Sequence, residues 1–299
     1  MNVLLTGGAG FSGSHIADYI AANTDWDIVV LDCLTYAGKM ENLSHVPANR
    51  LQFIRWDFGF QLTDDVLDSI GKVDYIIHAG AETHVTNSLR DPAPFIYSNV
   101  VGTFNMLEAA KILSPKKFLY VSTDEVFGAS LAPHKEDDIL NPSNPYSATK
   151  AAGELLVRTY QECFDMPCLI TRTTNIFGTR QHPEKFIPMT IEKIRSGESI
   201  DIHAGRSIGS RQWIHASDQA SALIFLLQSE QVKDTFHIAG ERRSNLEVAN
   251  ALGATNTRIV NPYDTYPNHD LHYALDDSKI RALGWKPALT FEQGICATL

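Results

Sequence analysis

Cysteine is scarce in this chain, and so are basic residues and long apolar runs. The four cysteines, Cys33, Cys163, Cys168 and Cys296, form no Cys-x-x-Cys pair and have no histidine at zinc-finger spacing. That argues against a disulfide framework and against any metal site, and it fits a reducing, cytoplasmic setting. No apolar run reaches the roughly 20 residues of a membrane span, so no membrane partner is expected. The chain opens directly on the strand-like Asn2-Val3-Leu4-Leu5, with no basic region and apolar core of a secretory signal ahead of it. Lys and Arg total 25 against 35 Asp and Glu, a net charge of −10. Such a surface repels nucleic acid and anionic lipid, although local Arg clusters can still hold phosphate. Repeats and low-complexity segments are also missing.

A chain of 299 residues with ordinary globular composition can bury a sizeable core in two packed lobes. Short apolar runs at 3–5, 28–31, 51–54, 73–78, 118–121 and 168–173 alternate with helical patterns at 14–22, 63–70, 91–113 and 146–164. This alternation predicts an α/β fold, a doubly wound parallel sheet of Rossmann type. Beyond Asn175 the period is less regular, with a helix expected near 187–194 and strands near 200–203 and 236–238. The expected division is a dinucleotide-binding domain over 1–176 and a smaller C-terminal α/β substrate-binding lobe over 177–299, some of whose segments return to the first domain.

The first run enters Thr6-Gly7-Gly8-Ala9-Gly10-Phe11-Ser12-Gly13 and then a helical stretch. Gly7, Gly10 and Gly13 permit a tight turn, close approach of a diphosphate and close helix packing, with the helix N-terminus facing the anion. The second run ends at Asp32, about 20 residues past the glycines, where a carboxylate meets the adenine ribose hydroxyls. Its charge repels a 2′-phosphate, and no Arg lies between Cys33 and Lys39, so NAD is favoured over NADP. Asp57, past the third run, is placed to meet the adenine, and Ala79-Gly80-Ala81 keeps side chains small beside the cofactor.

Ser122-Thr123-Asp124-Glu125 follows the fifth run, where an open α/β sheet holds its ligand. The same residues could simply cap the next helix. Further on, Tyr146 and Lys150 stand four apart, so on a helix they share a face. A neighbouring ammonium is expected to lower the phenol pKa from about 10 and make a tyrosinate base usable. Ten Tyr and twelve Lys make one such pair unremarkable by chance; its place on the helix after the carboxylate-bearing strand is what makes it informative. Lys185, Arg206, Arg211 and His269 are candidate partners for a diphosphate-bearing substrate.

Taken together, these motifs resemble the extended short-chain dehydrogenase/reductases, and within them the sugar-nucleotide 4,6-dehydratases typified by those acting on dTDP-glucose. The likeness rests on residues 6–13, Leu34-Thr35-Tyr36-Ala37-Gly38 with Glu41-Asn42-Leu43, residues 81–85, 122–128, 146–150 and 172–178, Pro183-Glu184-Lys185, residues 211–213, and His269-Asp270. The resemblance implies bound NAD, a nucleoside-diphosphate hexose substrate such as dTDP-glucose or UDP-glucose, and a homodimer formed through 92–113 and 146–164. Tyr146 would deprotonate the sugar 4-hydroxyl while Lys150 holds the nicotinamide ribose. Thr123 would hold the 4-oxygen, Glu125 remove the C5 proton, and Asp124 protonate the departing 6-hydroxyl. The two carboxyls need opposite protonation states.

Cofactor contacts implied in the same way are Gly7, Gly10, Phe11, Gly13, Asp32, Leu34, Thr35, Asp57, Phe58, Ala79, Gly80, Ala81, Ser98, Tyr146 and Lys150. Implied substrate contacts are Thr83, Thr123, Asn175, Lys185, Phe186, Arg211 and His269. The chain departs from the family pattern at Thr86-Asn87, Ile176, Thr265, Tyr266 and Asn268, and it lacks an Asn usual near Glu241. Several of these fall where the nucleotide is gripped and leave the base and the hexose open. The family's closing aromatic helix has no counterpart, which puts the last helix in question. A 4-epimerase or decarboxylase of the same superfamily would share NAD, Tyr146 and Lys150 but need no acid and base at C5 and C6. A catalytically silent NAD-sensing protein would need neither pair.

Overall fold

The computed structural model describes residues 1–204, 208–261 and 272–299. Its first half alternates strand and helix: β1 (Asn2–Thr6), α1 (Phe11–Asn23), β2 (Asp27–Asp32), β3 (Leu51–Arg55), α2 (Asp64–Ile70) and β4 (Tyr75–His78). Then come α3 (Val85–Arg90), α4 (Ala93–Phe95), α5 (Gly102–Leu113), β5 (Lys117–Thr123), α6 (Pro145–Phe164) and β6 (Cys168–Thr173). A π-helical segment, Ile96–Val101, joins α4 to α5. The later elements are β7 (Asn175–Phe177), α7 (Phe186–Ser196), β8 (Ile200–His203), β9 (Ser210–His215), α8 (Ala216–Gln228) and β10 (Asp234–Ile238). They end with β11 (Glu241–Ser244), α9 (Asn245–Ala251), β12 (Thr257–Val260), α10 (Ser278–Ala282) and α11 (Phe291–Thr298). The final helix that the sequence put in question does form, started by a reciprocal cap between Thr290 and Gln293.

Seven strands pair in the order β10-β6-β5-β4-β1-β2-β3, and every pairing is parallel. The apolar runs are continuous because both faces are covered. Successive strand residues point to opposite faces. Val3 and Leu5 therefore pack with Ile16 and Ile20 of α1 and Leu223 of α8, while Leu4 packs with Leu107 of α5 and Val157 of α6. Parallel pairing brings Thr6, Asp32, His78, Thr123 and Thr173 to one edge. Strand order reverses between β1 and β4, and the crevice opens at that point.

The second half returns to this sheet, since α8 covers one face and β10 extends the edge beside β6. β7, β9 and β11 form a separate three-stranded sheet, and β8 pairs with β12. Among the described residues no helix is long and apolar enough to cross a membrane.

Candidate active site

The crevice is built first from backbone. Gly7 has φ +67°, and a Cβ there would lie 2.5 Å from the Gly80 Cα; a Cβ on Gly13 would collide with the Gly7 carbonyl oxygen. The turn after β1 and the loop after β4 therefore touch backbone to backbone, leaving a cradle that side chains would fill. Beneath it the Thr6 hydroxyl lies 2.8 Å from His78 Nδ1 and accepts from Gly80 N at 3.1 Å. Burial lowers the His78 pKa to about 3, so the ring is a neutral strut. Asp32, at the end of β2, accepts from Ala9 N at 3.0 Å and Leu34 N at 2.8 Å. Burial raises its pKa, and those two bonds oppose the rise.

Of the residues expected at the cofactor, Gly7, Gly10, Phe11, Gly13, Asp32, Thr35, Phe58, Ala79, Gly80, Ala81 and Ser98 line one continuous cleft. Leu34 contributes through its backbone bond to Asp32. Asp57 lies in an adjoining hollow with Cys33 and Trp56. Ser98 is presented by the π-helical segment, an irregularity common at functional sites.

The same cleft continues to Thr83, Thr123, Asp124, Glu125, Tyr146, Lys150, Asn175 and Lys185. Thr123 ends β5, and its stretch both lines the cleft and caps a helix. Its hydroxyl accepts from Glu125 N at 3.3 Å, capping a 3-10 helix (Asp124–Phe127), and donates to Asp124 Oδ1 at 3.1 Å. Among the described residues Asp124 Oδ2 is buried with no hydrogen-bond partner. Burial, with the Glu125 charge adding to it, raises the Asp124 pKa to about 7, while the Arg211 charge opposes the rise. Asp124 is thus a carboxyl able to keep its proton near neutral pH.

α6 starts at Asn144, whose side chain accepts from Ser147 N at 2.9 Å, with Pro145 in the first turn. Its first two turns carry Tyr146 and Lys150 into the cleft. Lys150 Nζ donates to Val121 O at 2.7 Å and lies 4.1 Å from the Tyr120 ring centroid. Burial lowers the Lys150 pKa to about 7, with Glu154 opposing. The expected lowering of the Tyr146 pKa is not found: burial, with the charges of Glu125 and Asp124, pushes the phenol up, against the pull of its hydrogen bond with Thr123.

Lys185 reaches back to donate to Thr83 O at 3.1 Å. Phe186 packs on Trp213, their ring centroids 6.1 Å apart. Arg211 lies over the Tyr273 ring, 4.5 Å from its centroid, and acts on Asp124 through its charge. Arg206, Thr265, Tyr266, Asn268 and His269 lie outside the described residues.

Comparison with known proteins places this geometry. Residues 4–298 match the family described as GDP-mannose 4,6 dehydratase. The chain belongs to the sugar-nucleotide 4,6-dehydratases. It is 41% identical to the low-salt glycan biosynthesis protein Agl12 of Haloferax volcanii, over 99% of this chain and 96% of that one. It is 39% identical to the dTDP-glucose 4,6-dehydratase of Mycolicibacterium smegmatis, over 100% of this chain and 92% of the relative. The solved structure of a double mutant of DesIV, a dTDP-glucose 4,6-dehydratase from Streptomyces venezuelae crystallised with NAD, superposes with a TM-score of 0.91 at 33% identity, covering 100% of this chain and 95% of that chain.

A 4,6-dehydratase is a hydro-lyase and needs a proton donor and a proton acceptor close together. The cleft offers the adjacent carboxyls Asp124 and Glu125 in unlike surroundings. Several residues in and beside the cleft were given no individual role by the sequence. Glu184 accepts from Tyr36 Oη at 3.3 Å and lies 3.5 Å from His182 Nδ1. Burial, with the Glu184 charge, raises the pKa of Glu82. Asn99, buried in the π-helical segment, accepts from Glu82 N, donates to Glu82 O, and also donates to Thr149. It thereby ties the loop after β4 to α6. Tyr36 and Glu184 lie inside motifs already singled out, so the dehydratase likeness was the available signal for them; Asn99 had none beyond a polar residue in an apolar helix.

Proposed function

We propose that this 4,6-dehydratase holds NAD against the Gly7–Gly80 cradle and Asp32, and converts a nucleoside-diphosphate hexose, dTDP-glucose or a close relative such as UDP-glucose, to its 4-keto-6-deoxy form. The cradle supports the fit, because it is a cavity that only absent Cβ atoms keep open. NAD bound there would supply a hydride acceptor for C4, a donor for C6, and a positive ring charge favouring the Tyr146 phenolate.

Tyr146 takes the proton of the 4-hydroxyl, and Lys150, anchored on Val121 O one turn further along α6, brings a positive charge into the same cleft. With C4 a ketone, the C5 proton becomes acidic. Glu125 removes it, and Asp124 protonates the 6-oxygen as it leaves as water. The observation that carries this reading is the carboxyl pair itself, since burial lets Asp124 keep a proton that its neighbour does not need. A 4-epimerase has no use for such a pair at C5 and C6. Thr83, Asn175, Lys185 and Arg211 supply the polar groups for the sugar and its diphosphate.

A homodimer is part of the same reading. Ile96, Tyr97 and Phe104 on one helix and Leu155 on α6 are exposed apolar groups of the two helices that would face a second copy. The cytoplasm is the proposed setting. Incubation with dTDP-glucose, UDP-glucose, GDP-mannose and CDP-glucose, with mass analysis, tests the proposal. Loss of one water from one of them supports it; a product of unchanged mass, or none, refutes it.

A further inference from the structure

We propose that Asn144 is a positioning residue for the elimination step, a role that rests on the dehydratase reading above. Its amide does two things at once. Oδ1 accepts from Ser147 N at 2.9 Å and starts α6, while Nδ2 donates to Glu125 Oε2 at 3.3 Å. The cap decides which way the amide faces. Because the oxygen must meet the Ser147 N–H, the NH₂ group is turned towards Glu125, and the two-fold ambiguity of an amide is removed. The cap is reciprocal, with Asn144 N donating to Ser147 Oγ at 3.3 Å, so the residue is fixed from both ends.

Asn144 thus joins the two halves of the reaction. Tyr146 and Lys150 follow it on the same helix, and Glu125 lies on the 3-10 helix after β5. Other groups bear on Glu125: Asp124 beside it, Tyr146 from α6 and Lys185 from the start of α7 all interact with its charge. A neutral N–H donor holds the carboxylate in place and favours its ionised form without adding a competing charge. A serine cap would start the helix as well but cannot reach Glu125. Asn144 is tied to the cleft by its bond to Glu125, which lines the wall, so the role acts through Glu125 and is not that of a catalytic residue.

The test compares Asn144→Ser, which keeps a helix cap, and Asn144→Asp, which also keeps the cap but sets a like charge against Glu125. Both should fold, with Tm within a few degrees of the parent. Product formation from the accepted sugar nucleotide should fall about tenfold in Asn144→Ser and about a hundredfold in Asn144→Asp, the scale of a hydrogen bond to a charged group. Sugar oxidation is spared, so the absorbance of reduced nicotinamide should rise during turnover in both variants. Parent-like product formation in Asn144→Ser overturns the inference. So does a slowed variant with no rise in reduced nicotinamide, because a purely structural defect slows every step. The parent enzyme run alongside separates the two levels: if it releases no water, the dehydratase reading itself fails.

Discussion

The Thr123 hydroxyl donates to Asp124 Oδ1 across 3.1 Å while accepting the backbone N–H of Glu125. One side chain at the end of a parallel strand therefore fixes the turn on which both carboxyls sit. The turn points Asp124 into a buried site and leaves Glu125 in the cleft wall. Helix capping and the proposed acid–base role are not alternatives here, since the cap is what holds the two carboxyls.

Activity should fall as the pH rises through about 7. Asp124, with its pKa raised to about 7, must be protonated to act as the acid, and Lys150, with its pKa lowered to about 7, must be protonated to carry charge. Both lose their protons in the same range, so kcat/KM, which reports the free enzyme, should drop at least tenfold per pH unit on the alkaline side. A pH profile of kcat/KM checks this; a flat alkaline side would count against the assignment of Asp124.

Stability should carry the signature of the same group. Asp124 binds its proton more tightly folded than unfolded, so its cost to stability is absent below about pH 4, grows between about 4 and about 7, and is complete above that. Asp124→Asn should therefore raise Tm on the order of 5 °C at alkaline pH and leave it nearly unchanged in acid. Calorimetry on both sides of that window decides it.

Behind the site, Glu154 of α6 and Arg172 of β6 form a fully buried pair, with Arg172 Nε 3.0 Å and Nη2 2.7 Å from the carboxylate. Glu154→Ala leaves a guanidinium buried without its counter-charge and should cost about 3–5 kcal/mol. Glu154→Leu combined with Arg172→Met should recover at least half of that loss. Urea denaturation midpoints of the three variants test the pair.

Cofactor choice should rest on Asp32. Asp32→Ala removes the acceptor for Ala9 N and Leu34 N and for a ribose hydroxyl. NAD affinity of the stripped protein should fall about 10- to 100-fold, and discrimination against NADP should relax. Calorimetric titration with both nucleotides measures it; unchanged NAD binding would remove Asp32 from the cofactor site.

The strands that carry the site were legible because each is a short apolar run ending in turn residues, and parallel pairing aligns those ends. Asp32, Thr123 and the glycine turn followed from that alone. The direction of the Tyr146 pKa was not legible. Sequence spacing places an ammonium four residues away but does not show that burial and two carboxylates outweigh it, or that Lys150 is drawn to Val121 O. α8 escaped notice because Ser217, Asp218, Gln219 and Ser221 crowd its first two turns and the rest is apolar nearly all round, so no regular polar stripe shows. β11, Glu-Arg-Arg-Ser, has no apolar alternation and forms only through pairing with β9. Asn144 has a local signature, an Asn-Pro start immediately before Tyr146, but its contact with Glu125 spans 19 residues and exists only in the fold.

Under the proposed function, Asp124 and Glu125 carry the elimination of water. The most direct measurement is the mass of the sugar nucleotide after incubation with the parent enzyme and with the Asp124→Asn, Glu125→Gln double variant, each checked for bound NAD. Loss of one water is expected with the parent, and with the double variant intact NAD binding and product formation slowed at least 100-fold, the low end of general acid–base contributions. A double variant that releases the 4-keto-6-deoxy product near the parent rate would contradict it.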